Sequence, residues 1–299
     1  MFSYKGAIVA LVTPMKPNGD ISWESLSSLI NWQIESGIAG IGVVGTTGES
    51  STIDVVEHIQ LIEKAVEYAN KRVPIIAGTG ANSTKEAIYL TNAAKEAGAD
   101  AALLVTPYYN KPTQEGLYSH YSAIADQVDI DQILYNVPAR TACDLLPETV
   151  SKLSLHHNII GLKEALPEIK RLNSLINCLA ESNSPDFLLF SGDDESSANF
   201  ILSGGHGTIS VTANIVPHLV AAMANSAIDK TDEQEALKIH GILSSLNGAL
   251  FLESNPIPVK WALNRMGKIE SGIRLPLTKL NDKFTNILEL ALSDLKLIN

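Results

Sequence analysis

The chain has 299 residues, of which 45% are hydrophobic and 18% charged, and its formal net charge is −11. This length and composition are typical of one large globular barrel with an appendage. The acidic charge argues against a nucleic-acid-binding protein, which needs a basic surface. We find no apolar run long enough for a membrane span and no signal-peptide pattern. Two cysteines, Cys143 and Cys178, are too few for a disulfide framework and indicate a reducing cytoplasm.

Short apolar runs alternate with helical patterns along most of the chain. The predicted strands are residues 6–13, 38–44, 73–78, 101–106, 132–136, 159–163, 187–191 and 207–211. They are continuously apolar, as expected of parallel strands buried on both faces. The predicted helices are residues 22–35, 54–70, 83–97, 114–127, 147–153, 168–181, 195–202 and 218–227. Ser22 is a candidate N-cap, and Ser83 with Glu86 forms a capping-box pattern.

Eight strand–helix units predict an α/β fold of the (β/α)8 TIM barrel type. A doubly wound sheet is the alternative, but no G-x-G-x-x-G motif follows the first strand. After residue 230 the strands stop, and residues 231–251, 258–266 and 277–297 have helical patterns. We therefore predict a barrel that carries the site at residues 1–230 and a C-terminal helical region at residues 231–299.

Lys163 is the most informative residue at the C-terminal strand ends, where TIM barrels place their active sites. Burial disfavours the charged form of a lysine and leaves the neutral amine that can attack a carbonyl carbon. The alternative is a lysine that extends to the rim and pairs with Glu164 or Asp193. On position alone both interpretations stay open.

Hydroxyl groups end the neighbouring strands. Tyr135 ends the fifth strand, and a phenol can move the protons that imine formation requires, although core packing is the alternative role. Further hydroxyls come from Thr46, Thr47 and Tyr109. The G-T-T-G segment offers backbone N–H groups that can hold a carboxylate, unless it is an ordinary tight turn.

Arg140 follows Tyr135 by five residues, in a loop after Pro138. Its guanidinium can bind a carboxylate through two parallel hydrogen bonds, or it is a surface charge. The seven histidines show no metal-ligand spacing, so we expect no metal site. Asp193 and Asp194 are typical of helix caps rather than of Mg²⁺ ligands.

The strand-end motifs together resemble the pyruvate-dependent class I aldolase family that includes dihydrodipicolinate synthases and N-acetylneuraminate lyases. The motifs are G-T-T-G-E-S at 45–50, A-G-T-G-A-N at 77–82, T-P-Y-Y-N-K-P at 106–112, L-Y-N-V-P-A-R-T at 134–141, G-L-K-E-A at 161–165, S-G-D-D at 191–194, G-G-H-G-T-I-S-V-T-A-N at 204–214 and N-P-I-P-V-K-W-A at 255–262. They run in order along nearly the whole chain, which makes the resemblance specific.

The resemblance implies a role for each of these residues. Lys163 would form a Schiff base with pyruvate, and Tyr135 would donate and accept protons. Thr46 would complete a proton relay together with Tyr109, which reaches in from a neighbouring subunit. The pyruvate carboxylate would be held by Thr47, the Ile209 backbone and the nearby Gly192.

The resemblance also implies the second substrate, L-aspartate 4-semialdehyde, whose carboxylate Arg140 would bind. No cofactor is implied, and the expected assembly is a cytoplasmic homotetramer of two tight dimers. Two features favour the branch that serves the diaminopimelate route to L-lysine over the sialic-acid lyase branch: Thr46-Thr47 instead of Ser-Thr, and Arg140 instead of an apolar residue. An aldolase of the family that acts on a sugar acid and a non-catalytic 2-oxoacid-binding protein remain the alternatives.

Some members of the family are inhibited by L-lysine at a subunit interface. The matching positions here are Ser51, His58, Asn82, Glu86 and Tyr108. Val55 stands where inhibited members often carry histidine, which predicts inhibition of altered strength. Residues 165–168 also depart from the usual Thr/Ser-Gly-Asp/Asn turn, so the local geometry after Lys163 is not predicted.

Overall fold

The computed structural model describes residues 3–229 and 232–298 of the chain. Eight parallel strands follow one another around a closed barrel, which is completed by pairing of the first strand with the last. The strands are β1 Gly6–Ala10, β2 Gly40–Val43, β3 Ile75–Gly78, β4 Ala101–Val105, β5 Asp131–Asn136, β6 Ile159–Glu164, β7 Leu188–Ser191 and β8 Gly207–Ser210. The predicted TIM barrel is confirmed. The doubly wound alternative is wrong, because such a sheet stays open.

At least one helix follows each strand and packs on the outside of the barrel. The helices are α1 Trp23–Glu35, α2 Val55–Ala69, α3 Thr84–Glu96, α4 Gln114–Gln127, α5 Pro138–Thr141, α6 Pro147–Leu153, α7 Ile169–Glu181, α8 Ser197–Leu202, α9 Pro217–Asp229, α10 Glu233–Ala249, α11 Ile257–Arg265 and α12 Asp282–Asp294. Short 3-10 helices occupy Ser50–Thr52 and Thr212–Asn214.

The core has two layers, because the strands are buried on both faces. Side chains that point into the barrel form one cluster, which includes Ile8, Ile76, Leu103, Ile133, Phe190 and Ile209. Alternate strand residues such as Val9 and Leu134 point outward and pack against the surrounding helices. The axis of the barrel is therefore filled by side chains, and space for a ligand lies at its end.

Side-chain caps determine where several helices begin. Asp54, Ser83 and Thr113 each accept a hydrogen bond from the backbone N–H three residues later. The bond from the Glu86 N–H to Ser83 Oγ, at 3.4 Å, confirms one half of the predicted capping box. Ser22 is the N-cap residue of α1, as predicted, but its hydroxyl donates to a neighbouring serine and makes no cap bond.

Two predicted segments need correction, and one helix was missed. β1 ends at Ala10 instead of residue 13, because residues 11–13 stay buried but leave the strand ladder. The last helix begins at Asp282 instead of residue 277, because Asn281 caps it by accepting from the Lys283 N–H. The four-residue helix α5 was not predicted.

The C-terminal region packs directly on the barrel. Helix α10 contacts α9 and α12, and α11 contacts the 3-10 helix that follows β8. This packing places the segment between α10 and α11 at the C-terminal end of the barrel, beside the strand-end loops. The predicted boundary between residues 230 and 231 lies outside the described residues. Within the ranges 3–229 and 232–298, no helix is long and apolar enough to cross a membrane.

Candidate active site

A cavity of about 620 Å³ opens at the C-terminal ends of the strands. Strand-end loops form most of its wall, and the segment before α11 forms the rest. The predicted site residues that line it are Thr46, Thr47, Tyr135, Arg140, Lys163, Gly192 and Ile209, and residues 251–255 of the C-terminal region line it as well. The structure therefore brings seven residues from six loops or strands to one place.

Lys163 lies inside this cavity and is only 5% exposed. The register of β5 and β6 places it opposite Tyr135, and its Nζ atom lies 4.3 Å from the centre of the Tyr135 ring. In the described part of the chain, Lys163 forms no salt bridge with Glu164 or Asp193, since the Glu164 carboxylate pairs with Arg171. The rim ion pair considered for Lys163 is thus not formed, and its amine faces the cavity.

Gly192 keeps open the space that the Lys163 side chain occupies. A Cβ atom at position 192 would lie 3.0 Å from Lys163 Cε and 3.2 Å from Ala165. The Gly192 N–H donates to the Glu164 carbonyl oxygen at 2.6 Å, so the loop after β7 is held against the end of β6. A larger residue at position 192 would push the lysine out of its position.

The loop after β2 carries Thr46 and Thr47 in a constrained backbone. Val44 adopts a left-handed φ of 52°, which is unfavourable for a β-branched residue and must be held by its surroundings. A Cβ atom at position 48 would lie 3.0 Å from Val44 Cα, so a larger residue there would require the backbone to move by a few tenths of an ångström. Thr13 Oγ1 donates to the Gly48 carbonyl oxygen at 2.7 Å and fixes the far side of the turn.

Glu49, in the same loop, forms a buried ion pair with Lys260 of α11. Both side chains are nearly inaccessible to solvent, and the Arg274 N–H also donates to Glu49 Oε2, at 3.2 Å. Burial lowers the pKa of Lys260, and the Glu49 carboxylate opposes that change. The C-terminal region thus anchors the loop after β2 through a charged contact that water does not reach.

Arg140 lies on α5, at the mouth of the cavity, and its side chain is exposed. Its Nη2 atom donates to the Asn255 carbonyl oxygen at 3.4 Å, a long bond that leaves most of the guanidinium available. Arg140 and Lys163 line the same cavity but lie on different elements, α5 and β6. The site therefore offers an amine at its floor and a cation at its entrance.

Tyr109 does not line the cavity of its own chain. Its side chain is 90% exposed, and its backbone has a left-handed φ of 75°. The structure separates Tyr109 from Tyr135 and Thr46, with which it was predicted to form a relay. A relay within one chain is therefore not formed.

The five positions matched to an L-lysine site lie outside the main cavity, on the loops and helices that follow β2, β3 and β4. Asn82 Nδ2 donates to the Tyr108 carbonyl oxygen at 3.2 Å, and His58 Nε2 lies 2.8 Å from the Gly78 carbonyl oxygen. Burial lowers the pKa of His58, so the ring is neutral at pH 7. Burial and the nearby Glu86 carboxylate raise the pKa of Tyr108. Ser51 is exposed.

The loop that follows Lys163, which sequence left open, has a defined geometry. The Ala165 N–H donates to the Asn136 carbonyl oxygen at 3.0 Å, and the Leu166 N–H donates to Glu164 Oε1 at 3.0 Å. The loop therefore folds back onto the buried Glu164 carboxylate. Among the residues that the structure describes, no group of three or more histidine, cysteine, aspartate or glutamate side chains is placed to hold a metal ion.

The family model described as the dihydrodipicolinate synthetase family matches residues 3–295 of the chain. The chain belongs to this family. The family membership predicted from the strand-end motifs is thereby confirmed.

Relatives within the dihydrodipicolinate synthetase family are similar along almost their whole length. The chain is 56% identical over 277 residues to a 4-hydroxy-tetrahydrodipicolinate synthase of Pseudomonas savastanoi pv. phaseolicola, covering 93% of each. A dihydrodipicolinate synthase of Acinetobacter baumannii complexed with pyruvate is 52% identical, with a TM-score of 0.96 and coverage of 99% of this chain and 100% of that one. A relative from Cyanidioschyzon merolae with lysine bound is 36% identical, with a TM-score of 0.94 and full coverage of both chains.

Sequence reasoning missed one side chain that contacts a predicted site residue and one that contacts the neighbour of Lys163. Asn255 Nδ2 donates to Thr47 Oγ1 at 2.9 Å, and Arg171 Nε donates to the Glu164 carboxylate at 2.9 Å. Asn255 stands in the motif N-P-I-P-V-K-W-A, which contributed to the resemblance without a role. Arg171 lies in the first turn of α7, whose pattern gave no sign of a charge paired with a buried carboxylate.

Proposed function

We propose that this chain catalyses the 4-hydroxy-tetrahydrodipicolinate synthase reaction, in which pyruvate condenses with L-aspartate 4-semialdehyde. One observation carries the proposal: Lys163 is 5% exposed, lies on the floor of the cavity and faces Tyr135. A buried lysine amine without an anionic partner is suited to attack a carbonyl carbon. The relative complexed with pyruvate supports the first substrate, and the relative named 4-hydroxy-tetrahydrodipicolinate synthase supports the reaction.

The Lys163 amine adds to the C2 carbonyl carbon of pyruvate and forms a carbinolamine. The carbonyl oxygen takes up protons and leaves as water, which produces the imine. Loss of a proton from the pyruvate methyl group then gives an enamine. Tyr135 is the proton donor and acceptor that we assign to these transfers, because its ring lies 4.3 Å from Lys163 Nζ.

The enamine carbon attacks the aldehyde carbon of the second substrate and forms the new carbon–carbon bond. The amino group of that substrate then displaces Lys163 from the imine carbon, which closes the ring and frees the lysine. Thr47, the Ile209 backbone and Gly192 hold the pyruvate carboxylate in this proposal, and Arg140 holds the carboxylate of the aldehyde. A guanidinium binds a carboxylate through two parallel bonds, which orients the aldehyde as well as attracting it.

Reductive trapping tests the Schiff base. We expect pyruvate and borohydride to leave a stable adduct on Lys163, located by peptide mass spectrometry, and no adduct in Lys163→Ala. Lys260 is an internal control in the same molecule, because it is equally buried but paired with Glu49. An adduct on Lys260, or none at all in the folded wild type, would exclude the mechanism. A panel of aldehydes and sugar acids then identifies the second substrate.

Tyr109 supports assembly as part of the proposed function. Its 90% exposed side chain belongs to the relay of a second copy of the chain, where it joins Thr46 and Tyr135. A complete site then requires at least a dimer, and we propose a homotetramer of two such dimers. Sedimentation of the wild type tests the assembly, and a monomer at assay concentration would contradict it.

We also propose that L-lysine binds at Ser51, His58, Asn82, Glu86 and Tyr108. The lysine-bound relative from Cyanidioschyzon merolae supports this assignment. The Glu86 carboxylate suits the lysine ammonium. The exposed Val55 stands where inhibited members of the family often carry histidine, and the loss of that polar contact predicts weaker inhibition. Calorimetric titration with L-lysine tests it, and the absence of binding heat would remove the proposal.

The division into a barrel at residues 1–230 and a helical region at residues 231–299, and a cytoplasmic location, belong to the same proposal. The two cysteines are unpaired, which suits a reducing compartment. Recovery of a folded barrel from residues 1–230 alone would support the division, and its aggregation would contradict it. Cell fractionation tests the location.

A further inference from the structure

Asn255 reaches the active-site cavity from the segment between α10 and α11. It is 6% exposed, and its side-chain Nδ2 donates to Thr47 Oγ1 at 2.9 Å. We infer that Asn255 is a positioning residue for pyruvate binding. It orients the Thr47 hydroxyl so that the hydroxyl hydrogen points at the pyruvate carboxylate. This inference rests on the proposed function, because it assumes that Thr47 holds that carboxylate.

The direction of the hydrogen bond determines which atoms of the Thr47 hydroxyl remain available to pyruvate. A hydroxyl has one hydrogen to donate and two lone pairs that accept, whereas a carboxylate only accepts. When the Asn255 amide donates to Thr47 Oγ1, it occupies a lone pair and leaves the hydroxyl hydrogen for the ligand. If the amide were turned around, Thr47 would donate to Asn255 Oδ1 and would present only lone pairs to pyruvate.

The other contacts of both side chains agree with this assignment. In the part of the chain that the structure describes, Thr47 Oγ1 has no other hydrogen-bond partner. Asn255 Oδ1 is buried and likewise has no partner among the described residues. The contact with Thr47 is thus the one side-chain hydrogen bond that the Asn255 amide makes there. A buried amide held by a single bond to a ligand-binding hydroxyl is expected where that hydroxyl must be oriented.

The backbone of Asn255 joins this contact to the other carboxylate site. The Asn255 carbonyl oxygen accepts from Arg140 Nη2 at 3.4 Å. One residue of the C-terminal region therefore contacts the side chains proposed for both substrates. The buried pair of Lys260 with Glu49 fixes α11 to the same loop, two residues beyond Thr47.

Asn255→Asp and Asn255→Ala separate orientation from simple packing. The aspartate has only acceptors, so it takes the Thr47 hydrogen and brings a negative charge near the carboxylate. We expect the pyruvate concentration for half-maximal trapping to rise on the order of tenfold to hundredfold. The alanine frees the hydroxyl to rotate without capturing its hydrogen, so the rise is smaller. The KM for the aldehyde stays within about twofold in both variants, because the Asn255 carbonyl remains.

Thr47→Val is the background that makes the test specific. It removes the hydroxyl, so adding Asn255→Ala should change pyruvate binding little, whereas adding Asn255→Asp should keep only the part of its loss that comes from charge repulsion. Asn264→Ala is the matched control. Its side-chain amide also donates one hydrogen bond, to the Ile269 carbonyl oxygen, but Asn264 lies outside the cavity. Its pyruvate concentration for half-maximal trapping should equal that of the wild type, and thermal unfolding checks that each variant is folded.

The inference would be overturned if Asn255→Asp and Asn255→Ala weakened pyruvate binding equally and did so just as much in the Thr47→Val background. The proposed function would still stand if the wild type were trapped on Lys163. The absence of any adduct in the wild type would instead overturn the proposed function, and this inference with it. A larger loss in Asn255→Asp that becomes clearly smaller with Thr47→Val, together with a loss in Asn255→Ala that vanishes there, is the result that supports the orienting role.

Discussion

Arg171 Nε donates a hydrogen bond of 2.9 Å to Glu164 Oε2, and Glu164 directly follows Lys163 on β6. The same guanidinium donates to Asp144 Oδ1 at 2.9 Å. Asn136, at the end of β5, donates to both carboxylates. A partly buried cluster of one cation, two anions and an amide therefore joins the ends of the two strands that carry the proposed catalytic pair.

Arg171→Leu leaves the Glu164 carboxylate buried without its cation. Burial raises the pKa of Glu164, and Arg171 opposes that rise in the wild type. We expect the free energy of unfolding, measured by guanidinium denaturation, to fall by about 3 to 5 kcal/mol. Adding Glu164→Gln removes the unpaired charge and should recover part of the loss. Lys64→Leu breaks an exposed ion pair with Glu67 and should cost much less, because solvent screens that pair. A similar loss in both variants would contradict the role of burial.

Arg140→Ala removes the cation at the mouth of the cavity. The KM for L-aspartate 4-semialdehyde should rise on the order of tenfold to hundredfold, while trapping of pyruvate on Lys163 is retained. Arg140→Lys keeps the charge but loses the two-pronged geometry, so it should restore little. Arg265→Ala, at an exposed ion pair with Glu289, is the control for loss of an arginine. If Arg140→Ala weakened pyruvate trapping as much as aldehyde use, the guanidinium would have a different role.

Subunit mixing tests whether Tyr109 serves a neighbouring site. Lys163→Ala and Tyr109→Ala should each be nearly inactive alone. Unfolding and refolding them together gives mixed dimers in which one site has both wild-type residues, so about a quarter of the wild-type activity should return. A mixture that stayed as inactive as its components would mean that Tyr109 acts in its own chain or not at all.

His120 predicts a dependence of stability on pH. The ring is 5% exposed and bonds Thr84 Oγ1 through Nδ1, and burial lowers its pKa to about 4. Its pKa in the unfolded chain is about 6.5. Between these values the unfolded chain binds a proton that the folded chain does not, so stability falls as the pH drops from about 6.5 to about 4. The loss from this group is at most about 3 kcal/mol.

Denaturation of the wild type and of His120→Asn at a series of pH values measures this effect. The variant lowers stability at neutral pH but should show a flatter pH dependence in that window. Two parallel curves would assign the acid sensitivity to other groups, of which the buried His58 is the first candidate, because burial lowers its pKa as well.

The order and number of strands were predictable, because a strand buried on both faces appears as an uninterrupted apolar run. The ends were less predictable, since hydropathy does not separate a ladder residue from a buried loop residue such as Leu11 or Val12. The last helix was extended by five residues because Leu277 and Leu280 fit an apolar stripe, although Asn281 begins the helix by capping it.

The site residues at the strand ends were predictable from fold geometry, because every parallel strand of a barrel ends on the same side. Asn255 and Arg171 were not, because their roles depend on contacts between distant segments. An asparagine before a proline and an arginine within a helix carry no local sign of the hydroxyl or carboxylate that they bind.

The bond between Thr47 and Asn255 joins residues 208 positions apart. At about 5 to 20 residues per second, a ribosome delivers the second partner about 10 to 40 seconds after the first. Lys163 is added within that interval, before β8 and before the orienting amide. In the proposed geometry, a nascent chain therefore has no complete pyruvate site until synthesis has passed residue 255.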